Sequence, residues 1–330
     1  MDIGIDLGTA NVLVFVKGKG VVLCEPSVVA VEEKNDRIVA IGQEARQMLG
    51  RNHVGIKVIR PLREGVISDF RITELMLKYF IKKVMSRGRL IKPRIGVCVP
   101  SQITSVEKRA VIDATKEAGA KEVFLIEEPL AGAIGVGIDI AKPFGTMIID
   151  IGGGTTDIAV ISLGATVVSQ SLKVAGDNFD EAITRYMRKK HMLLIGERSA
   201  EMLKIKVGTV VPDGTRGFFE IRGRNILNGL PTSVIVTEND MAEALTEVAE
   251  QLIQGIRNVF EQTPPELAGD IYEQGIIMTG GGCLLHGLDT MITNAVGIDV
   301  YIPEDPLIRV AIGTGRFIEN IDKYANGFLD

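Results

Sequence analysis

Apolar positions along the chain follow two spacings, and the order of elements they predict in the first half returns in the second. Short unbroken apolar runs read as buried strands, and runs with apolar residues three and four apart read as amphipathic helices. In the first half a hairpin spans 3–16, strands follow at 21–24 and 26–31, and a mixed polar stretch covers 32–65. That stretch, with a short strand at 38–41 and a helix at 43–49, reads as an insertion. After it the pattern predicts a helix over 73–84, with Asp69 or Thr73 as N-cap, a strand at 95–99, a helix over 105–118 and a strand at 123–126. The second half begins with a hairpin over 146–162, a strand at 166–173 and a helix over 177–191. A Pro/Gly-rich segment between 208 and 231, with strands at 218–221 and 233–237, is the place for a second insertion. A long helix over 240–263 stops at Pro264-Pro265, a strand follows at 275–278, and a helix over 306–324 closes the pattern.

Both hairpins turn through glycine. Asp150-Ile151-Gly152-Gly153-Gly154-Thr155-Thr156-Asp157 joins two apolar strands. Glycines without Cβ atoms let backbone N–H groups close on a ligand, and successive N–H groups in one concavity bind an anion. Threonine hydroxyls add donors. An aspartate at the strand end does not ligate phosphate; it fits beside a hydrated Mg²⁺, which needs one or two carboxylates plus phosphate oxygens. On its own, a run of three glycines is more simply a flexible turn. Asp6-Leu7-Gly8-Thr9-Ala10-Asn11 is a second copy, and aligning Asp6 with Asp150 sets Gly8 over Gly152 and Val14 over Val160. The stretch from Glu128 to Gly137 is likewise echoed from Asp305 to Gly315. The chain thus reads as a duplicated α/β unit, with a polyphosphate clasped between the halves and an aspartate from each for the metal.

At 330 residues the chain is long enough for two cores, and 46% hydrophobic with 24% charged residues is a globular composition. A net charge of −5 argues against a nucleic-acid partner. Cys24, Cys98 and Cys283 are widely spaced in apolar surroundings, and with His53, His191 and His286 they show no metal-ligand spacing. They read as small core residues in a reducing cytosol. No apolar run is long enough to span a bilayer, so a soluble or membrane-peripheral chain is expected.

The phosphate hairpins, the Glu127-Glu128-Pro129 helix start, the Thr279–Gly282 turn and the Ala311-Ile312-Gly313-Thr314-Gly315 helix resemble the actin/DnaK-type chaperone/sugar kinase superfamily. Within it, IGIDLGTAN (3–11), CEPSVVA (24–30), RPLREGVISDF (60–70), LIEEPLAGAIG (125–135), DIGGGTTDIAVIS (150–162), LLIGERSAE (193–201), TPPELAGDI (263–271) and MTGGGCLLHGLD (278–289) are similar to the bacterial actin homologues MreB and Mbl. The similarity covers the whole chain; Cys24 and Gly132 stand where that family usually has Asn and Ala.

The resemblance implies an α/β, actin-like ATPase fold: two duplicated RNase H-like halves, each with an inserted subdomain, and the nucleotide in the cleft between them. The first half would take 1–30, 65–137 and 312–330, with 31–64 inserted; the second would take 138–175 and 239–311, with 176–238 inserted. It also implies an ATPase that assembles into filaments, with ATP or ADP and Mg²⁺ as ligands. Partners would be further copies of itself, the inner face of the cytoplasmic membrane and membrane proteins of the wall-elongation machinery. The place would be cytoplasmic and membrane-peripheral, the role cell shape and wall synthesis, with motility left open.

Residue by residue, Gly8, Thr9, Ala10 and Asn11 would hold the β-phosphate side, and Gly153, Gly154, Thr155 and Thr156 would face the γ-phosphate, with Gly152 also among the nucleotide-binding residues. Asp6 and Asp150 would orient the Mg²⁺ hydration shell. Glu128 would position the attacking water with Thr155 as second contact, although Glu127 and Glu128 before Pro129 also suit a plain helix start. Glu201 and Lys204, three apart on one helix face, would touch adenosine; without the resemblance they are an ordinary surface ion pair. Gly280, Gly281 and Gly282 would pass close to adenosine, and Gly176 and Asp177 would start a helix near the ribose. The chain opens directly on its first strand, so membrane contact is expected of Leu90 and Ile91, flanked by Arg87, Arg89 and Lys92. Against this, the pair would simply pack into the core. A small-molecule kinase of the same superfamily would need a phosphoryl acceptor site and an Asp base, and Glu128 before Pro129 suits water better. A DnaK-type chaperone would need a substrate-binding domain after this core.

Overall fold

The computed structural model describes residues 1–51, 54–85 and 92–324. Two five-stranded sheets carry the molecule, and they have the same topology. The first runs Glu122–Glu127, Arg94–Val99, Asp2–Leu7, Asn11–Val16, Gly20–Pro26; the second runs Ala165–Leu172, Thr156–Ser162, Thr146–Ile151, Ile276–Thr279, Val300–Tyr301, in the opposite sense along the sheet. In each, the three strands of an antiparallel meander are extended by two parallel strands laid against the first. The two hairpins also share one register. Asp6 pairs with Leu13 and Asp150 with Asp157, while Ile5 pairs with Val14 and Ile149 with Ile158. Val14 therefore corresponds to Ile158, not Val160; GTAN and GGGT span turns of equal length.

Val29–Glu32 leaves the first sheet and pairs instead with Ile38–Ile41 and Ile56–Ile59, so the strand expected at 26–31 is divided between two sheets. A second small sheet joins Leu193–Leu194, Phe218–Asn225 and Pro231–Thr237. Asp69 caps the helix Phe70–Val84 by accepting from Ile72 N at 3.0 Å, so the helix starts a turn earlier than its apolar spacing indicates. Pro264-Pro265 ends the helix Glu238–Gln262 as expected. Pro265 also opens a further helix, Pro265–Gln274, because a first-turn proline needs no N–H. The helix Leu288–Val296 is another addition, and the closing segment divides into a 3₁₀ turn Pro306–Ile308 and helices Arg309–Glu319 and Ile321–Tyr324.

The halves meet where the helices Glu128–Val136 and Arg309–Glu319 cross. These are the two segments whose sequences echo each other. A Cβ on Gly313 would lie 2.6 Å from the Ala131 carbonyl carbon, and one on Gly135 would lie 2.7 Å from that of Arg309. Only glycine lets the backbones approach this closely. Around the crossing, Ala131, Ile134, Ile148, Val310, Phe317 and Ile318 form a core shared by both halves. It fixes the ends of the two hairpins relative to one another.

Candidate functional site

A cleft of about 560 Å³ lies between the halves, with both hairpin turns in its wall. The turns touch. A Cβ on Gly153 would stand 2.6 Å from Ala10 Cβ, and one on Gly154 2.9 Å from Thr9 Oγ1. Gly8, Thr9, Ala10, Asn11, Gly152, Gly153 and Thr155 line the cleft. Gly154 is buried in the contact between the turns, and the fully buried Thr156 donates its hydroxyl to Val174 O at 2.6 Å, so neither faces the cavity. The helix Gly176–Lys190 begins against the glycine turn: Gly176 N donates to Gly152 O at 3.1 Å and Asp177 N to Gly153 O at 2.7 Å. That brings Gly176 and Asp177 into the wall.

Asp6, Asp150 and Glu128 meet in the wall of the cavity. Cys98 Sγ donates to Asp6 Oδ1 at 3.3 Å, and Thr279 Oγ1 to Asp150 Oδ1 at 2.9 Å. Burial lifts the Asp6 carboxyl to about 6. Burial, and then Asp6, lift that of Asp150. Burial followed by Asp157, Asp150 and Asp6 pushes Glu128 well above the ordinary range. Among the described residues, no lysine or arginine is among the groups acting on these three. Carboxylates buried together without a cation of their own suit a divalent ion. Mg²⁺ is such an ion: it keeps several waters and needs only one or two protein carboxylates beside phosphate oxygens.

Ile205, Leu284, Leu285 and Leu307 add an aliphatic part to the wall, and the turn Gly280-Gly281-Gly282 runs between Leu307 and Asp150: a Cβ on Gly281 would lie 2.9 Å from Leu307 Cδ2 and one on Gly280 2.9 Å from Asp150 Oδ1. A cavity lined by clustered carboxylates, glycine turns and aliphatic side chains offers both kinds of contact that a nucleoside triphosphate needs. The family model of the MreB/Mbl protein matches residues 1–326. The chain belongs to the MreB/Mbl family. Cell shape-determining protein Mbl of Bacillus cereus is 52% identical over 322 residues, covering 98% of this chain and 97% of that protein. Cell shape-determining protein MreB of Escherichia coli K12 is 47% identical over 328 residues, covering 98% and 94%. The crystal structure of MreB5 of Spiroplasma citri bound to ADP superposes with a TM-score of 0.94 at 37% identity, covering 98% of both chains. A second structure of that protein, bound to AMPPNP, has the same score and identity over 99% of this chain and 98% of that one. The MamK double helical filament, at 23% identity and TM-score 0.82, shares the actin-like fold.

Within this MreB/Mbl fold the charged residues of the cleft mouth are paired otherwise than their spacing implies. Glu201 and Lys204 both line the cavity but do not bond to each other. Lys204 Nζ bonds Gly176 O at 2.8 Å and Asp180 Oδ1 at 2.9 Å, and burial raises the Asp180 carboxyl to about 6. Glu201 pairs with Arg46 of the opposite half. Arg60 also bridges the mouth, to Asp177 at 3.3 Å and Glu197 at 3.1 Å. Arg46, Arg60 and Asp180 escaped the sequence reading; Arg60 stands in the RPLREG motif, but its partners come from 117 and more residues away. Leu90 and Ile91 lie outside the described residues. Among those described, no helix is long and apolar enough to cross a membrane.

Proposed function

We propose that this chain binds Mg-ATP in the cleft, hydrolyses it slowly and couples the cycle to assembly into actin-like filaments. Those filaments act at the inner face of the cytoplasmic membrane in cell-shape determination and the organisation of wall synthesis. The observation that carries this reading is the pair of touching glycine turns with Asp6, Asp150 and Glu128 buried together behind them. The turns of Gly8–Asn11 and Gly152–Thr155 hold the phosphates through backbone N–H groups and threonine hydroxyls. Asp6 and Asp150 are the residues that would hold Mg²⁺, which would supply positive charge against the phosphates. Glu128, aided by Thr155, orients the water that attacks the γ-phosphate. Glu201, Lys204 and Gly280–Gly282 receive the adenosine, with Gly176 and Asp177 beside the ribose. The inserted subdomains are 31–64 and 176–238, and their halves are bounded as the resemblance implies. The names of the relatives, and the ADP and AMPPNP bound to MreB5, support the reading.

The test is sedimentation and phosphate release with Mg-ATP, set beside phosphorylation of added small molecules. The parent should pellet and release phosphate without phosphorylating an added acceptor. Glu128→Ala should keep nucleotide binding and lose most phosphate release. An unchanged hydrolysis rate in that variant would sink the role of Glu128.

A further inference from the structure

Asp157 ends the motif DIGGGTTD, is completely buried, and does not line the cleft. It is the ladder partner of Asp150 and the first charge acting on Glu128. Its Oδ1 accepts a 2.8 Å hydrogen bond from Ser101 N, which belongs to the other half, in the loop after Arg94–Val99. Two more bonds cross the same seam. Gln102 Nε2 donates to Ser169 O at 2.8 Å, and Thr166 Oγ1 donates to Glu127 Oε2 at 2.8 Å. The strands Thr156–Ser162 and Ala165–Leu172 of the second half thus seat the ends of two first-half strands. Thr155 is held in the same place. A Cβ on Gly65 would lie 2.8 Å from Pro100 Cγ and 2.9 Å from Thr155 Cγ2, so that glycine sits between the Ser101 loop and the threonine.

We propose that Asp157 is a positioning residue whose bond to Ser101 N sets Glu128 and Thr155 relative to each other, making hydrolysis depend on how the two halves are seated. The inference rests on the reading that those two residues address an attacking water. Glu128 starts a helix directly after the first-half strand Glu122–Glu127, whereas Thr155 precedes the second-half strand that carries Asp157. A relative shift of the halves would separate them. Of the three seam bonds, the one to Asp157 is the only one to a completely buried carboxylate, and bonds to charged acceptors are the stronger kind. The residue is placed to act on the chemical step and not on nucleotide affinity, because it does not line the cleft.

The experiment compares the full chain with Asp157→Ala, Ser101→Pro, which removes the N–H, and the double variant. It reads single-turnover hydrolysis, affinity for a fluorescent ATP analogue, and amide exchange over residues 99–103. Each single variant should slow hydrolysis by about tenfold or more, since misplacement on the order of 1 Å costs up to about a hundredfold. Affinity should stay within roughly twofold, and the double variant should be no slower than either single, as for two partners in one interaction. The Ser101 amide should be protected in the parent and exposed in Asp157→Ala. Unchanged hydrolysis in either folded single variant, losses that multiply in the double, or equal Ser101 exchange in parent and Asp157→Ala would each overturn the tie. A parent that binds the analogue yet never hydrolyses it would instead contradict the ATPase reading, and the amide exchange alone would then decide whether the tie exists.

Discussion

The crossing of Glu128–Val136 with Arg309–Glu319 makes two glycine-to-alanine substitutions opposite in sign. In an exposed helix interior alanine is preferred to glycine by about 1 kcal/mol. Gly269, in the helix Pro265–Gln274, has nothing within 4 Å of where a methyl group would stand, so Gly269→Ala should stabilise by about 0.5–1 kcal/mol. At Gly313 the new methyl would lie 2.6 Å from the Ala131 carbonyl carbon and 2.9 Å from Gly135 N. The Ala131 carbonyl oxygen is nearer still, and ordinary contact is about 3.5–4.0 Å, so the helices must part by well over about 1 Å. Both neighbours are backbone atoms and cannot swing aside as a flexible side chain would. The displacement pulls Val310, Phe317 and Ile318 away from Ala131 and Ile134 in the core the halves share. Overpacking of this kind costs about 1–3 kcal/mol and sometimes more. Backbone against backbone falls at the upper end, so the propensity gain is outweighed and a net loss of about 2 kcal/mol remains. Guanidinium denaturation of parent and both variants reads the result. A Gly313→Ala midpoint at or above that of the parent would refute the close crossing.

Two further outcomes follow from the site and one from the sequence. Asp150→Ala should reduce the Mg²⁺ dependence of ATP binding, and an equal strengthening by Mg²⁺ in variant and parent would remove its metal role. Burial holds Asp6 at about 6, above the ordinary 3.8, so the folded protein keeps a proton that the unfolded chain has released. Its ionisation therefore costs stability as pH rises from about 4 through 6, on the order of 3 kcal/mol. Asp6→Asn should leave nucleotide-free stability nearly unchanged at pH 4 and raise it at pH 8; a gain independent of pH would contradict this. Leu90→Ser with Ile91→Ser should abolish flotation of ATP-assembled filaments with anionic liposomes while leaving hydrolysis intact. Many weak loops act together on a filament, so equal flotation of the double variant would place membrane contact elsewhere.

What could be read from the sequence was local or repeated. The glycine turns, the flanking apolar strands and the Glu128–Pro129 helix start are contiguous, and the duplication made each half a check on the other. The register of the hairpins was not legible to the residue, since Val14 and Val160 look as plausible a pair as Val14 and Ile158 until the ladder is formed. Pro265 reads as a stop in sequence because proline both ends and starts helices. Side-chain direction was the other gap. Thr155 and Thr156 are adjacent and chemically equal in sequence, yet one lines the cleft and the other turns to Val174 O. Glu201 and Lys204 share a helix face, but Lys204 is drawn to Asp180 and Glu201 to Arg46, partners whose proximity depends on the packed halves.

The central claim is that one Mg-ATP lies between the halves with its base against the helix Glu197–Val207 and the turn Gly280–Gly282. Photolabelling with 8-azido-ATP in Mg²⁺, followed by peptide mapping, tests it most directly. Label should fall on the helix Glu197–Val207 or on the segment from Thr279 to Leu285, and unmodified ATP should compete it away. Label confined to other surfaces, or insensitive to ATP, would contradict the account.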